Sequence, residues 1–243
     1  MKRVAKMVKS RDFKIFSAQI SIFTPELSFS LNKIHIDLGS KHSSILDGDP
    51  VLLPLPNDAP LEIPRLIMSS LDQKLKLEVA KSRLNFFRFR KEDIKDISLE
   101  SFLAAGLKII NDYMECTSAR VGRIAVVKRL FVENDNPGLT LASHFCKDEW
   151  MKQPFNRPEN FEIHAHKKYP LPKNKLNINS WVRCKSGELK NIDAPIILVE
   201  QDINTLAEDL DKNDFDMKFI NNFCDEIFVE QKDILNKYFP NNG

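Results

Sequence analysis

The sequence predicts an α+β fold, in which a mainly antiparallel sheet carries a mid-chain helix and a long C-terminal amphipathic helix packed on one face. Residues 74–79, KLKLEV, alternate apolar and charged side chains, which is typical of a half-buried antiparallel strand. Residues 98–114 place apolar side chains at helical spacing behind Ser98, a residue type that often caps a helix. Residues 214–239 repeat this spacing over a longer segment that stops at Pro240.

The first half of the chain is predicted to be rich in strands. Residues 14–23 and 27–39 show apolar residues at strand spacing, and the proline-rich residues 40–64 predict a long connection. A strand at residues 65–71 then leads through the KLKLEV strand to residues 83–90, RLNFFRFR. Each face of this last strand mixes aromatic and basic residues. We therefore expect a bulge midway along the strand, at which the face that points to the core changes.

The second half repeats the order of strands followed by a helix. Residues 121–133 are β-branched and apolar and predict a strand, whereas residues 140–152 predict a helix that begins at Thr140. Before the C-terminal helix we expect strands at residues 161–171, 176–184 and 194–203, with a turn at residues 185–190. We therefore expect one domain over residues 1–243, with two lobes near 1–118 and 119–243 as an arrangement within it.

Composition predicts a cytoplasmic protein that does not enter a membrane. A chain of 243 residues that is 42% hydrophobic and 29% charged resembles soluble globular proteins. No segment approaches the ~18 uninterrupted apolar residues of a membrane helix. The four cysteines lie far apart without a CxxC pair, which favours reduced thiols. The sequence leaves open whether the protein forms a homodimer.

Glycine placement argues against nucleotide-dependent chemistry. The chain has seven glycines, and they are never clustered. A P-loop or a dinucleotide-binding loop needs clustered glycines so that the backbone can approach a pyrophosphate. The GxSxG, HExxH and kinase motifs are also missing from the sequence. We expect no cofactor and no catalytic residues, and a role other than catalysis.

Metal binding has few candidates in the sequence. His164 and His166 share one face of a predicted strand, but zinc needs three or four ligands and no third lies nearby in sequence. Residues 209–216 begin like a calcium loop but place Asp214 where its sharp turn needs glycine. Glu188 belongs to an E-x-K pattern without the preceding aspartate of a magnesium-dependent nuclease. We therefore expect no metal site, with His164 and His166 as the candidates that remain.

The segment RLNFFRFR also suggests a nucleic-acid hypothesis. Phenylalanines in sheets usually belong to the core, and Leu84 and Phe86 occupy positions where an RNA-recognition strand has glycine and a small residue. A core strand with a solvated arginine rim is therefore the favoured interpretation. In the alternative, a basic sheet face binds nucleic acid through Arg83, Arg88, Arg90, Arg120 and Arg123.

Residues 64–89 resemble a hairpin shared by a sporadically distributed prokaryotic protein family of unknown function, whose members have about this length. The later strand of that family starts with Arg-x-Gly, as Arg120–Gly122 do, but its aromatic residue and asparagine are missing at 125–127. The resemblance implies a single α+β unit and supplies no enzymatic activity. The matching positions are Pro64, Arg65, Ser70, Asp72, Leu77, Val79, Arg83 and Phe86, followed by Asp202 and the closing helix at 215–239.

Three functional hypotheses follow. The leading one is a non-enzymatic cytoplasmic module that binds a protein partner, as part of a defence or toxin–antitoxin-like system. It rests on the excluded chemistry, the apolar proline-rich residues 50–64, and residues 200–233, which hold eleven acidic residues against three lysines. The second is the nucleic-acid-binding module, and the third is a metal-dependent hydrolase or nuclease around His164, His166 and Glu188.

Overall fold

The computed structural model describes residues 8–25, 30–56, 58–91, 98–189 and 194–241. These residues form one nine-stranded antiparallel sheet and five α-helices, which confirms the α+β prediction. The strands are β1 (Lys14–Phe23), β2 (Val51–Leu52), β3 (Leu66–Ser69), β4 (Leu75–Val79), β5 (Arg83–Phe89), β6 (Arg123–Glu133), β7 (Glu162–Pro170), β8 (Asn177–Leu189) and β9 (Ala194–Thr205), and the helices are α1 (Leu31–His42), α2 (Leu99–Thr117), α3 (Pro137–Phe145), α4 (Asp148–Lys152) and α5 (Met217–Tyr238).

The two halves of the chain share one order of elements. The strands lie in the order β2-β3-β4-β5-β1-β6-β9-β8-β7. In each half, a first strand leads to helical structure, which is α1 in the first half and α3 with α4 in the second. A run of antiparallel strands follows, four in the first half and three in the second, and then a long helix. The first strands, β1 and β6, pair with each other from Lys14 opposite Phe131 to Phe23 opposite Arg123, so a single sheet spans both halves.

The long helices pack against one face of the sheet. A Cβ atom built on Gly106 of α2 would lie 3.0 Å from Phe86 and 3.2 Å from Ile20, so the glycine lets the helix approach the strands closely. In α5, the Gln231 side chain donates to the carbonyl of Val126 in β6. We call this side the covered face. The opposite side, which Phe23, Phe87 and Trp181 share by strand period, carries neither of these two helices and is called the uncovered face.

Three predictions about the type or extent of a secondary-structure element are wrong. A strand was expected at residues 27–39, of which 27–29 lie outside the described residues. Leu31–His42 is instead a helix, because Ile34, Leu38 and His42 recur every four residues and are all buried. The helix expected at 140–152 is two helices, and the first begins at Pro137 rather than at Thr140. A turn was expected at residues 185–190, but β8 continues as a strand through Leu189. Lys190, the last residue of the expected turn, lies outside the described residues.

The RLNFFRFR strand has no internal bulge. Its register with β1 runs without a shift from Arg83 opposite Phe23 to Phe89 opposite Ser17, so the bulge expected within it is wrong. The irregularity lies in β1 instead, between Ile15 and Ser17. The strand keeps its alternation by burying an arginine on the covered face: Leu84, Phe86 and Arg88 lie there, with Arg88 only 2% exposed.

The covered face also buries a lysine. Lys128 of β6 lies between Ala18 and Gln201 in the sheet and is 5% exposed. Among the described residues, no hydrogen bond or ion pair involves its amine. Burial lowers the pKa of Lys128 from 10.5 to about 8, because the charged amine loses its hydration.

Replacing Lys128 with methionine should stabilise the protein. The unfolded chain holds the proton more tightly, so the folded state carries a cost of up to about 3 kcal/mol at pH 7 that fades as the pH rises from about 8 to 10.5. We therefore expect Lys128→Met to raise the free energy of unfolding by about 1–3 kcal/mol at pH 7, with a smaller gain at pH 10. Urea unfolding at both pH values measures this, with the exposed Lys108→Met as control. An equal gain at both pH values would contradict the account.

Candidate functional site

The uncovered face carries three clusters in which a cation lies against a partly exposed aromatic ring. The first is formed by β4 and β5. Lys76 Nζ lies 4.9 Å from the ring centre of Phe87 and 5.6 Å from that of Phe89. The two rings stack with their centres 5.8 Å apart, because residues two apart in a strand share a face. Glu78 holds the lysine at 2.7 Å, so the ammonium is fixed above the rings.

The second cluster lies where the two halves of the sheet meet. Phe23, at the end of β1, pairs with Arg83 of β5 on one side and with Arg123 of β6 on the other. The guanidinium carbon of Arg123 lies 4.6 Å from the Phe23 ring centre. Arg123 donates from Nε to the Thr205 carbonyl at 3.2 Å and from Nη2 to Asn204 Oδ1 at 3.0 Å. These contacts hold the guanidinium plane over the ring.

The arginines of this second cluster are close enough to influence each other. Burial lowers the pKa of Arg123, and the nearby charge of Arg83 lowers it further, while Asp202 and Glu208 oppose both effects. The guanidinium still remains charged, as arginines do in proteins. Arg83 Nε is buried and has no hydrogen-bond acceptor among the described residues. A buried, unsatisfied donor beside a second cation favours the arrival of an anion.

The third cluster lies in β7 and β8. His166 stacks on Trp181, with ring centres 4.2 Å apart and planes 8° apart. The guanidinium carbon of Arg183 lies 5.0 Å from the Trp181 ring centre. His166 Nε2 is 3.2 Å from Asn179 Oδ1, a distance at which a protonated nitrogen donates. The Trp181 ring therefore contacts both an imidazole and a guanidinium group.

A chain of side-chain hydrogen bonds joins the second and third clusters. Asn204 accepts from Arg123 and donates from Nδ2 to Asp202 at 2.9 Å. Asn179 donates to Asn204 Oδ1 at 3.3 Å and lies next to His166. The asparagines and Asp202 thus hold the middle of the face in a fixed arrangement across β6, β9, β8 and β7.

A charged triad fixes the neighbouring part of the same face. Glu200 of β9 accepts from Arg129 Nε at 2.6 Å and from Arg183 Nη1 at 2.5 Å. Burial alone would raise the pKa of Glu200, but the hydrogen bonds and charges of Arg129 and Arg183 outweigh burial and lower it. One carboxylate therefore holds two arginines, and the triad keeps a net positive charge.

The five arginines predicted to bind nucleic acid do not form one patch. Arg83 and Arg123 lie together on the uncovered face, on either side of Phe23. Arg88 lies on the opposite, covered face, and Arg90 follows the far end of β5. Arg120 donates to the carbonyls of residues 211 and 213 before α5, which gives it a structural role.

Four of the ring and cation residues in the three clusters were absent from the sequence prediction. Trp181 and Arg183 alternate with the buried Val182 and Cys184, a strand pattern that was visible in the sequence. These two side chains join the other clusters only because β8 pairs with β9 and β7. Such long-range pairing cannot be predicted from the local sequence pattern. The other two missed residues, Phe23 and Lys76, lie on the same face and were missed for the same reason.

The residues considered for metal binding lie apart from one another. His164 is near Glu162, with 3.4 Å between Nε2 and Oε2, whereas His166 is occupied by Trp181 and Asn179. Within the described ranges, no group of three or more histidine, cysteine, aspartate or glutamate side chains is placed to hold a metal. Glu188 lies near the end of β8, away from both histidines in the register of that strand.

Comparison with known proteins identifies no relative from which the role of the site could be inferred. No protein-family model matches the chain, and no curated protein matches it. Among the helices that the structure describes, none combines the length and apolar character needed to cross a membrane.

The Glu200 triad predicts a specific pH dependence of stability. Its carboxylate is held ionised by two arginines, so its contribution is present above pH 4.5 and is lost as the pH falls through its lowered pKa. We expect Glu200→Gln to lower the free energy of unfolding by about 1–3 kcal/mol at pH 7 and by much less at pH 3. Urea unfolding of both proteins at each pH measures this.

Glu133→Gln is the matched control for this prediction. Glu133 pairs with Lys14 at 3.4 Å, but both side chains are more than half exposed, so its loss should change little. Equal effects of the two substitutions at pH 7 would show that the triad contributes no more than an ordinary surface pair.

Proposed function

We propose that the protein is a binding module that holds single-stranded nucleic acid on the uncovered face of its sheet. The observation that carries this proposal is the set of three aromatic–cation clusters on one continuous face. Rings that alternate with cations offer surfaces on which bases can stack and charges that attract phosphates. Because the three clusters lie in β4 and β5, at the β1–β6 junction, and in β7 and β8, a strand crossing the sheet would meet each in turn.

The charge balance of the uncovered face supports a polyanionic ligand. Two of its acidic residues are already neutralised, Glu78 by Lys76 and Glu200 by two arginines. Basic side chains outnumber acidic ones there by eight to five in the sheet register. The basic residues are Lys14, Lys76, Arg83, Arg123, Arg129, Lys168, Arg183 and Lys185, and the acidic residues are Glu78, Glu133, Glu162, Glu200 and Asp202.

A single strand fits this surface better than a duplex does. Stacking on a ring requires a base whose face is free, which a paired base inside a duplex does not offer. The partly exposed Phe23, Phe87 and Trp181 lie in the strands themselves, so a base must descend to the sheet to reach them. Each stacked base would contribute about 1–3 kcal/mol.

The double variant Arg83→Ala with Arg123→Ala tests the proposal. Its two guanidinium groups flank Phe23, so their loss should weaken binding of a labelled oligothymidylate of about 20 nucleotides at least tenfold. The dependence of log affinity on log salt should become shallower by about one to two units. Fluorescence anisotropy over a salt series measures both quantities.

The control variant, Lys108→Ala with Lys232→Ala, also removes two positive charges, but from the helices α2 and α5. Both lysines are exposed on helices, and the control should bind like the unmodified protein. Binding that falls equally in the two double variants, or no binding by the unmodified protein at about 50 mM salt, would contradict the proposal.

A protein-interaction module remains the second candidate, because a specific surface favours it. Val51 and Leu52 of the edge strand β2 are 48% and 42% exposed, and Leu61 and Ile63 of the following connection are each 37% exposed. Exposed apolar residues in an edge strand and in the connection that follows it are typical of a protein-binding surface. In this reading, the protein is a partner-binding component of a defence or toxin–antitoxin-like module.

This second candidate is tested by substituting Val51→Asp together with Leu52→Asp. A tagged protein that captures one stoichiometric partner after nuclease treatment should lose that partner in the variant, as mass spectrometry of the eluate would show. Ile36→Asp with Val229→Asp provides the control, since these residues are 65% and 61% exposed on helices. Retention of the partner by the β2 variant would rule out this edge as the docking surface.

A further inference from the structure

The second edge of the sheet is formed by β7, which is longer than β2. It pairs with β8 from Glu162 opposite Lys185 to Pro170 opposite Asn177, and no described strand pairs with its other side. An edge strand of nine residues presents unpaired backbone N–H and C=O groups along that side. Such a row of groups can pair with an extended peptide.

A groove lies beside this edge, between β7 and β8 on one side and α5 on the other. Its cavity is about 460 Å³, within the range of ligand-binding pockets. Apolar groups from both sides line it: Ala165 and Val182 from the strands, and Ile234 and the Tyr238 ring from the helix. The groove is on the covered face, opposite the three aromatic–cation clusters.

The edge and the groove together define a strand-addition site. Ala165, Lys167 and Tyr169 alternate along β7, and all three line the groove. A peptide paired with β7 would place its own alternate side chains on the same face, because side chains opposite each other in a sheet share a face. Every second residue of the peptide would therefore enter the groove.

The lining determines which side chains would fit. Lys167 and Lys237 are exposed at the groove, and neither has an ion pair among the described residues. The acidic Glu230 is already occupied, since it accepts from the Tyr169 hydroxyl at 2.8 Å. Burial and this hydrogen bond raise the pKa of Tyr169 to about 12, so the hydroxyl remains a donor. The groove thus offers an apolar floor and two unpaired cations.

We propose that β7 and α5 bind an extended peptide of a partner protein, in which an apolar residue and an acidic residue are two positions apart. The apolar side chain occupies the floor near Ala165 and Ile234, and the acidic one pairs with Lys167 or Lys237. The backbone of the peptide continues the sheet beyond β7. This inference does not depend on the nucleic-acid proposal, since the two surfaces lie on opposite faces.

A displayed library of random peptides, about twelve residues long, provides the test. Selection on the unmodified protein should enrich an apolar and an acidic residue at a spacing of two. An enriched synthetic peptide should bind at least tenfold more weakly to the variant with Lys167→Glu and Lys237→Glu. The charge-matched variant with Lys218→Glu and Lys232→Glu, which changes exposed lysines elsewhere on α5, should bind it normally.

Backbone methylation separates strand pairing from simple groove binding. Peptides N-methylated at successive positions should lose affinity at every second position, where the N–H faces β7, and keep it at the others. The proposal is overturned by failure to enrich any peptide, by a consensus without an acidic residue, or by indifference to methylation. It is also overturned if light scattering shows a dimer that the Lys167→Glu and Lys237→Glu variant loses, since a second copy would then occupy the site.

Discussion

The pairing of β1 with β6 is the interaction on which the rest of the structure depends. These are the first strands of the two halves, and their register along nearly their whole length joins two half-sheets into one. Gly122, just before β6, makes this junction sterically possible, because a Cβ atom there would lie 1.9 Å from the carbonyl oxygen of Leu210. The chain that leads into α5 crosses the junction at this point. A larger residue at position 122 would displace either β6 or that crossing.

The junction also separates two chemistries that the same strands carry. On the covered face, α2 and α5 bury apolar side chains, together with Arg88 and Lys128. On the uncovered face, the strand period brings Phe23 between Arg83 and Arg123, which come from different halves. This central cluster therefore exists only when the two half-sheets are joined. Folding and the proposed nucleic-acid binding thus share one structural requirement.

The sequence predicts local periodicity well and long-range pairing poorly. The cap at Ser98, the helix it begins and the alternation of KLKLEV are all local patterns, and the structure contains each of them. The helix at 31–42 was mistaken for a strand because the short apolar spacing of Leu31, Ile34 and Ile36 suits both periods, and only burial of Ile34 and Leu38 against the sheet decides between them.

The candidate site shows the same limit. Arg83 and Arg123 were predicted as binding residues from their basic surroundings, but nothing local indicates that both flank Phe23. Trp181 and Arg183 were missed because their face becomes significant only when β8 joins the sheet. The central claim, that the uncovered face holds nucleic acid, is tested most directly by photocrosslinking a single strand containing 4-thiothymidine and mapping the attached peptides by mass spectrometry. The account predicts attachment near Phe23, Phe87 and Trp181, whereas attachment confined to α2 and α5 would contradict it.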